Sequence, residues 1–175
     1  GEVYEYPEGF FKERGHNIRR ARPDDFQLKE AAEKIKNSKN PIIISGGGVF
    51  YSDAMDELGA FAAKHNIPVT QTVMGYSTMK KDHSHFLGPI GGLGGKAANN
   101  FAKQTDLAIA IGTKLGDFTT GSWANFENPD FSLVSINVAR FDANKHMAQS
   151  VIGDAKVSLT ELSQILGDWK APEDW

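Results

Sequence analysis

The run Asn40-Pro41-Ile42-Ile43-Ile44-Ser45-Gly46-Gly47-Gly48 (residues 40–48) decides the fold. Three consecutive β-branched apolar residues lead straight into three glycines. A short apolar run without alternation reads as a strand buried on both faces, as in a parallel sheet. The glycines allow a tight turn and a close approach of backbone to backbone or ligand. Beyond them, Ala54, Leu58, Phe61 and Ala62 recur at helical spacing, with Ser52 or Asp53 as the cap and Asn66 as a left-handed stop. Strand, glycine turn and helix open a doubly wound α/β fold.

Working outward, Asp24 caps an earlier helix in which Leu28, Ala31, Ala32 and Ile35 share one face, and Gln27 stands where a capping box wants it. Further strands are expected over 67–72, 106–112, 131–138 and 151–153. Helices are expected over 96–104 and after Asp154, the latter ending at Gly167. The segment 74–85 reads as irregular, and Gly88-Pro89-Ile90-Gly91 as a loop. The expected body is residues 24–167. Residues 1–23, with Tyr4, Tyr6, Phe10 and Phe11 among charges, read as a linker from a preceding domain, and 168–175 as a linker to a following one.

A net charge of −3 without a basic stripe argues against a nucleic-acid binder. No apolar run approaches the roughly 20 residues of a membrane span, and no signal peptide is visible. The absence of cysteine excludes disulfides, thiolate metal sites and a cysteine nucleophile, and suits the cytoplasm. Gly1 in place of Met suggests a tag remnant or a piece excised from a longer protein.

The strand-end loops expected on one edge are 46–48, 72–75, 112–123 and 137–142. They supply glycines, hydroxyls and amides, suited to a phosphate held by backbone N–H groups and equally to plain crossover turns. Gly92-Leu93-Gly94-Gly95-Lys96-Ala97 matches a dinucleotide string, but with a loop before it the expectation is a glycine-rich lead into a helix. Gly95-Lys96 is not a P-loop, because Ala97 replaces the required hydroxyl residue. His83-Ser84-His85 reads as a solvated loop rather than a metal site. No serine elbow or paired-carboxylate arrangement stands out.

Six motifs in register carry a resemblance: residues 40–49, 65–72, 87–91, 105–114, 135–139 and 153–156. Together they resemble the central domain of thiamine-diphosphate-dependent enzymes of the acetolactate synthase and pyruvate oxidase group. The flanks at 4–11 and 18–23 are most similar to the trihydroxycyclohexanedione hydrolases of myo-inositol catabolism. The resemblance implies a three-layer, doubly wound domain with a six-stranded, mostly parallel sheet. It implies flanking pyrimidine-binding and diphosphate-binding domains in the same chain, which hold thiamine diphosphate and magnesium between them, and a homo-oligomer. The implied reaction is attack of the cofactor on a carbonyl, ring C–C cleavage and hydrolytic release. The family's Gly-Asp-Gly metal motif is absent: Gly-Asp at 116, 153 and 167 is followed by Phe118, Ala155 and Trp169. No catalytic or metal residue is therefore expected, and the isolated chain should be inert.

Some relatives bind FAD or an ADP-type ligand on the strand-end edge. The matching positions are Gly46, Gly47, Gly48, Gly91, Gly94, Gly112, Thr113, Asp117, Thr120 and Gly121. In FAD-holding relatives two arginines accompany this stretch. Here the run 114–121 has neither, with Phe118 in the place of the second, so a pyrophosphate would lose its best bidentate donor. Two alternatives remain: a nucleotide-binding module of an acetolactate-synthase-like enzyme, and a freestanding NAD-using enzyme of similar fold. The latter needs His83, His85 or Lys114 in a glycine-lined cleft.

Overall fold

The computed structural model describes residues 2–17 and 19–175. Six parallel strands form one sheet in the order β3-β2-β1-β4-β5-β6. They are β1 (Pro41–Ser45), β2 (Val69–Gln71), β3 (Phe86–Pro89), β4 (Leu107–Ile111), β5 (Ser132–Asn137) and β6 (Gln149–Ile152). The helices are α1 (Asp25–Asn37), α2 (Gly47–Tyr51), α3 (Met55–His65), α4 (Lys96–Gln104), α5 (Asp117–Thr120), α6 (Arg140–Ala143) and α7 (Ala155–Leu166). All six strands are parallel, where a mostly parallel sheet was expected.

Sequence explains the strand order. β1 and β4 are buried at every position and pair at the centre, Ile43 beside Ile109. Runs without polar alternation have no face to offer water, so they belong in the middle. β3 and β6, only partly buried, take the edges.

α1, α3 and α7 cover one face, where Leu28, Ile35, Leu58, Phe61, Leu159 and Leu162 pack with Ile43, Ile109 and Val134. The other face, with Ile42, Ile44, Ala108 and Ala110, is covered by α4 and an aromatic group. In that group Trp123 stands 5.6 Å from Phe126 and 6.4 Å from Phe131.

Three local expectations are corrected. The segment around Gly88 is not all loop: Phe86–Pro89 is a strand. Its Gly-Pro ending hides it, and as an edge strand it tolerates a residue without N–H. The helix after β1 starts inside the glycines as α2. α3 then begins at Met55 with no side-chain cap, Asp53 being held at φ 53°. The capping box at α1 is half formed. Asp24 accepts from the amides of Phe26 and Gln27, but Gln27 Oε1 accepts from Ile152 N at 2.9 Å, fastening α1 to β6. Asp154 caps α7 as expected, accepting from Lys156 N and Val157 N.

Residues 20–23 and the C-terminal tail lie on the body. Arg20 bonds the Ser52 carbonyl and Asp154, the Ala21 carbonyl accepts from Asp154 N at 2.8 Å, and Pro23 packs on Gly153. At the other end Ala171 N donates to the His65 carbonyl at 2.9 Å, and Trp175 Nε1 to the Pro41 carbonyl at 2.7 Å.

Candidate functional site

The chain runs outward from β1 to β2 and β3, then returns to lay β4 beside β1 and continues to β5 and β6. The loops after β1 and β4 therefore diverge, and a crevice opens at their strand ends, where open α/β sheets bind ligands. Its volume is about 530 Å³. Gly47, Gly48, Thr72, Met74, Gly112 to Lys114, Asp117, Asn137 and Asp142 line it. All four expected loop segments contribute. Tyr51 also lines the crevice, a residue passed over because α2 read as a turn.

The expected site residues divide by what their backbone N–H groups do. Gly46 N donates to the Ile111 carbonyl at 2.8 Å, Gly48 N to Gly112 O at 2.9 Å, and Gly112 N to Ile136 O at 2.9 Å. Gly112 sits at φ 61°, and a Cβ there would lie 2.5 Å from Gly48 Cα. These glycines let two loops touch backbone to backbone. Thr120 N donates to Gly116 O, and Gly121 N to Asp117 O. Gly47, Thr113 and Asp117 face the crevice.

Gly91 and Gly94 belong to a neighbouring knot rather than to the crevice lining. Gly91 N donates to Asn99 Oδ1 at 2.9 Å and Gly94 N to Gly91 O at 2.8 Å. Gly92 N donates to Phe118 O at 2.8 Å, and a Cβ on Gly91 would meet that oxygen at 2.0 Å. The β3–α4 string thus follows a strand and opens a helix, as a dinucleotide fingerprint does. But it sits at the sheet edge, and its loop holds the carbonyl of Phe118.

The charges in the crevice are sparse. Lys114, Asp117 and Asp142 line it, and Asp142 is bridged to Lys145 at 2.6 Å. His83 and His85 lie just before β3, at the strand-start edge, where His85 Nε2 is 3.2 Å from Asn66 Oδ1. Burial, then the neighbouring His83, pushes the His85 pKa down. The two histidines therefore lie away from the crevice, and of the three residues offered for an NAD-using enzyme only Lys114 lines it.

A larger groove of about 710 Å³ runs between α1 and α7. Most of its charges are paired: Arg22 with Asp25 and Glu161, and Lys156 with Glu57 and Asp53. That makes it a solvated ion-pair face rather than a site.

The family model for the thiamine pyrophosphate enzyme central domain matches residues 28–162. The chain belongs to this family. Among curated relatives, the 3D-(3,5/4)-trihydroxycyclohexane-1,2-dione hydrolase of Clostridium perfringens (strain 13) is 46% identical over 166 residues, covering 95% of this chain and 26% of that protein. The like-named protein of Clostridium tetani is 45% identical over 166 residues, with the same coverage. Among solved structures, a benzoylformate decarboxylase from Polynucleobacter necessarius superposes with a TM-score of 0.69 at 22% identity, over 98% of this chain and 32% of that one. This central domain spans about a quarter of the length of the curated relatives it matches.

The residues present do not fit thiamine diphosphate with its metal. Of the Gly-Asp pairs, Asp154 is spent on the α7 cap and Arg20, and Asp168 lies exposed after α7. Among the described residues no three His, Asp or Glu side chains gather to hold a metal ion.

Proposed function

We infer that this chain is the central domain of a thiamine-diphosphate-dependent hydrolase that opens a cyclic 1,2-dione from myo-inositol by cleaving a ring C–C bond. The observation that carries the reading is the 46% identity to a trihydroxycyclohexane-1,2-dione hydrolase across 95% of the chain. At that level over a whole domain, the central domain has the same sheet and the same loops to offer its neighbours. Thiamine diphosphate and magnesium would be held by pyrimidine-binding and diphosphate-binding domains elsewhere in the polypeptide. Residues 24–167 are the body, and 1–23 and 168–175 the connections. The assembled enzyme is a cytoplasmic homo-oligomer. The domain's own work is to position the others, since the chemistry is the cofactor's and the protein supplies orientation.

The test is turnover of the cyclic dione by the longer polypeptide with thiamine diphosphate and magnesium, beside this 175-residue chain alone. Ring opening by the first and none by the second is expected. Ring opening by the short chain, or a longer protein that ignores the dione, would overturn the reading. A retained FAD or ADP site is the second reading. It is favoured by one observation, the crevice at the switch point with Lys114 in its wall. The amides of Gly46, Gly48, Gly91, Gly94, Gly112, Thr120 and Gly121 count against it, because each already has an acceptor.

A further inference from the structure

The strand-end edge carries an apolar rim. The segments after β1, β2, β3, β4 and β5 each raise at least one large apolar side chain into solvent. Tyr51 is 81% exposed, Met74 72%, Leu93 72%, Phe118 75% and Phe141 77%. Scattered single apolar residues on a surface are ordinary, but a set gathered along one edge marks an interaction surface. Phe118 and Leu93 come from the two loops joined by the Gly92–Phe118 hydrogen bond, so the rim is built on packed backbone.

The chain itself says what lies next to this rim. Residues 20–23 are fastened there: Arg20 to the Ser52 carbonyl after α2, Ala21 to the amide of Asp154 after β6, and Pro23 against Gly153. The C-terminal tail leaves by the opposite edge, with Trp175 on the Pro41 carbonyl at the start of β1. The chain thus enters the body beside the rim at Arg20, while the tail to Trp175 runs to the opposite edge. Curated relatives are about four times as long as this chain, so there is polypeptide to fill the place.

We propose that the strand-end rim, centred on Tyr51, Met74, Leu93, Phe118 and Phe141, is a docking surface for an apolar face of the domain that precedes residue 20 in the same polypeptide. The proposal rests on the reading of this chain as one domain of a longer protein. It makes the loops that hold a nucleotide in some relatives into a protein contact here. The glycines beneath the rim keep those loops rigid, and the rim side chains supply the area.

Oxidation of Met74 by dilute peroxide tests it, read by peptide mass spectrometry in the 175-residue chain and in the longer polypeptide, with a free methionine peptide setting the dose. Met74 should oxidise at least 5-fold more slowly in the longer polypeptide. Equal rates would overturn the proposal. So would protection already present in the short chain that grows with its concentration, the mark of a second copy, or protection that needs added FAD or ADP. Phe118→Asp provides the second arm. Its side chain is mostly in water, so the short chain should melt within a few degrees of the parent. In the longer polypeptide the same change should return Met74 to the fast rate, and unchanged protection would overturn the proposal. None of these readouts depends on dione turnover, so failure here is separable from failure of the assigned reaction.

Discussion

The two edges of the sheet are finished in different ways. At the strand starts, polar side chains close the backbone. Asp106 accepts from Ser38 Oγ, from Lys39 N at 2.8 Å and from Asn40 N at 3.0 Å, while Thr105 donates to the Asn40 carbonyl. Asn128 reaches the Gln104 carbonyl at 3.0 Å, and Trp175 covers the start of β1. At the strand ends, glycine backbones close on each other, and the side chains above them are apolar and exposed. The strand-start edge pairs these polar groups within the chain. The strand-end edge is tight underneath and unfinished on top, which is what a domain shows when part of its surface belongs to an interface.

The contrast can be broken most sharply at Gly112. Gly112→Ala places a Cβ 2.5 Å from Gly48 Cα at a positive φ. Left-handed strain and backbone overpacking together should cost about 3 kcal/mol or more. For a domain of this length that lowers Tm by roughly 10 °C. A loss under about 1 kcal/mol in a denaturant titration would mean that the two loops are not in contact. At the opposite edge, Asp106→Ala strands two backbone amides and a hydroxyl that a carboxylate served, and should cost about 2 kcal/mol. Asp154→Ala removes the α7 cap and the anchor of Arg20, for about 1–2 kcal/mol. It should also free residues 20–23 to proteases, which Asp106→Ala should not.

The smallest effect sharpens the strand-start edge. His65 is fully buried at the end of α3, its Nδ1–H donating to the Trp169 carbonyl at 2.7 Å, with Nε2 3.1 Å from Ser163 Oγ. Burial pushes its pKa below the ordinary 6.5; the Trp169 carbonyl opposes this and Lys64 adds to it. The unfolded chain therefore binds the proton more readily. The stabilisation is complete above pH 6.5 and fades as pH falls from there toward the lower folded-state value. Denaturant titrations between pH 7.5 and 5.5 should show this slope, reduced in His65→Gln. A parent protein with a flat profile would contradict the burial argument.

Much of this was legible in the sequence, and the omissions are physical. β1 and β4 announce themselves because a strand buried on both faces cannot alternate. β3 does not, since Gly88 and Pro89 are tolerable only at an edge with one neighbour, and edge position is a tertiary fact. α2 was hidden for a related reason: a helix that starts within glycines carries no propensity signal and forms because the crossover demands it. At the crevice, the sequence located the loops and the glycines but could not say what the glycines touch. Gly48 and Gly112 look the same whether they face a phosphate or each other, and only their spacing across the switch point decides. Most of the exposed rim was beyond reach, because an apolar residue in a loop reads as buried until the fold shows nothing over it; the loop of Phe118, Trp123 and Phe126 could be read as a pocket cover or a contact with another domain, and of these Phe118 is exposed while Trp123 and Phe126 pack on the core.

The central claim is that this domain holds no cofactor of its own and acts through contact with its neighbours. Thermal unfolding of the 175-residue chain alone, and with saturating FAD, with ADP, and with thiamine diphosphate plus magnesium, tests that claim most directly. A ligand at about 100 times its Kd would stabilise the chain by about 2.7 kcal/mol, or roughly 5–10 °C at this size. The account predicts superimposable transitions in all four. A shift of that size with FAD or ADP would make the strand-end crevice a working nucleotide site, and one with thiamine diphosphate would contradict the account outright.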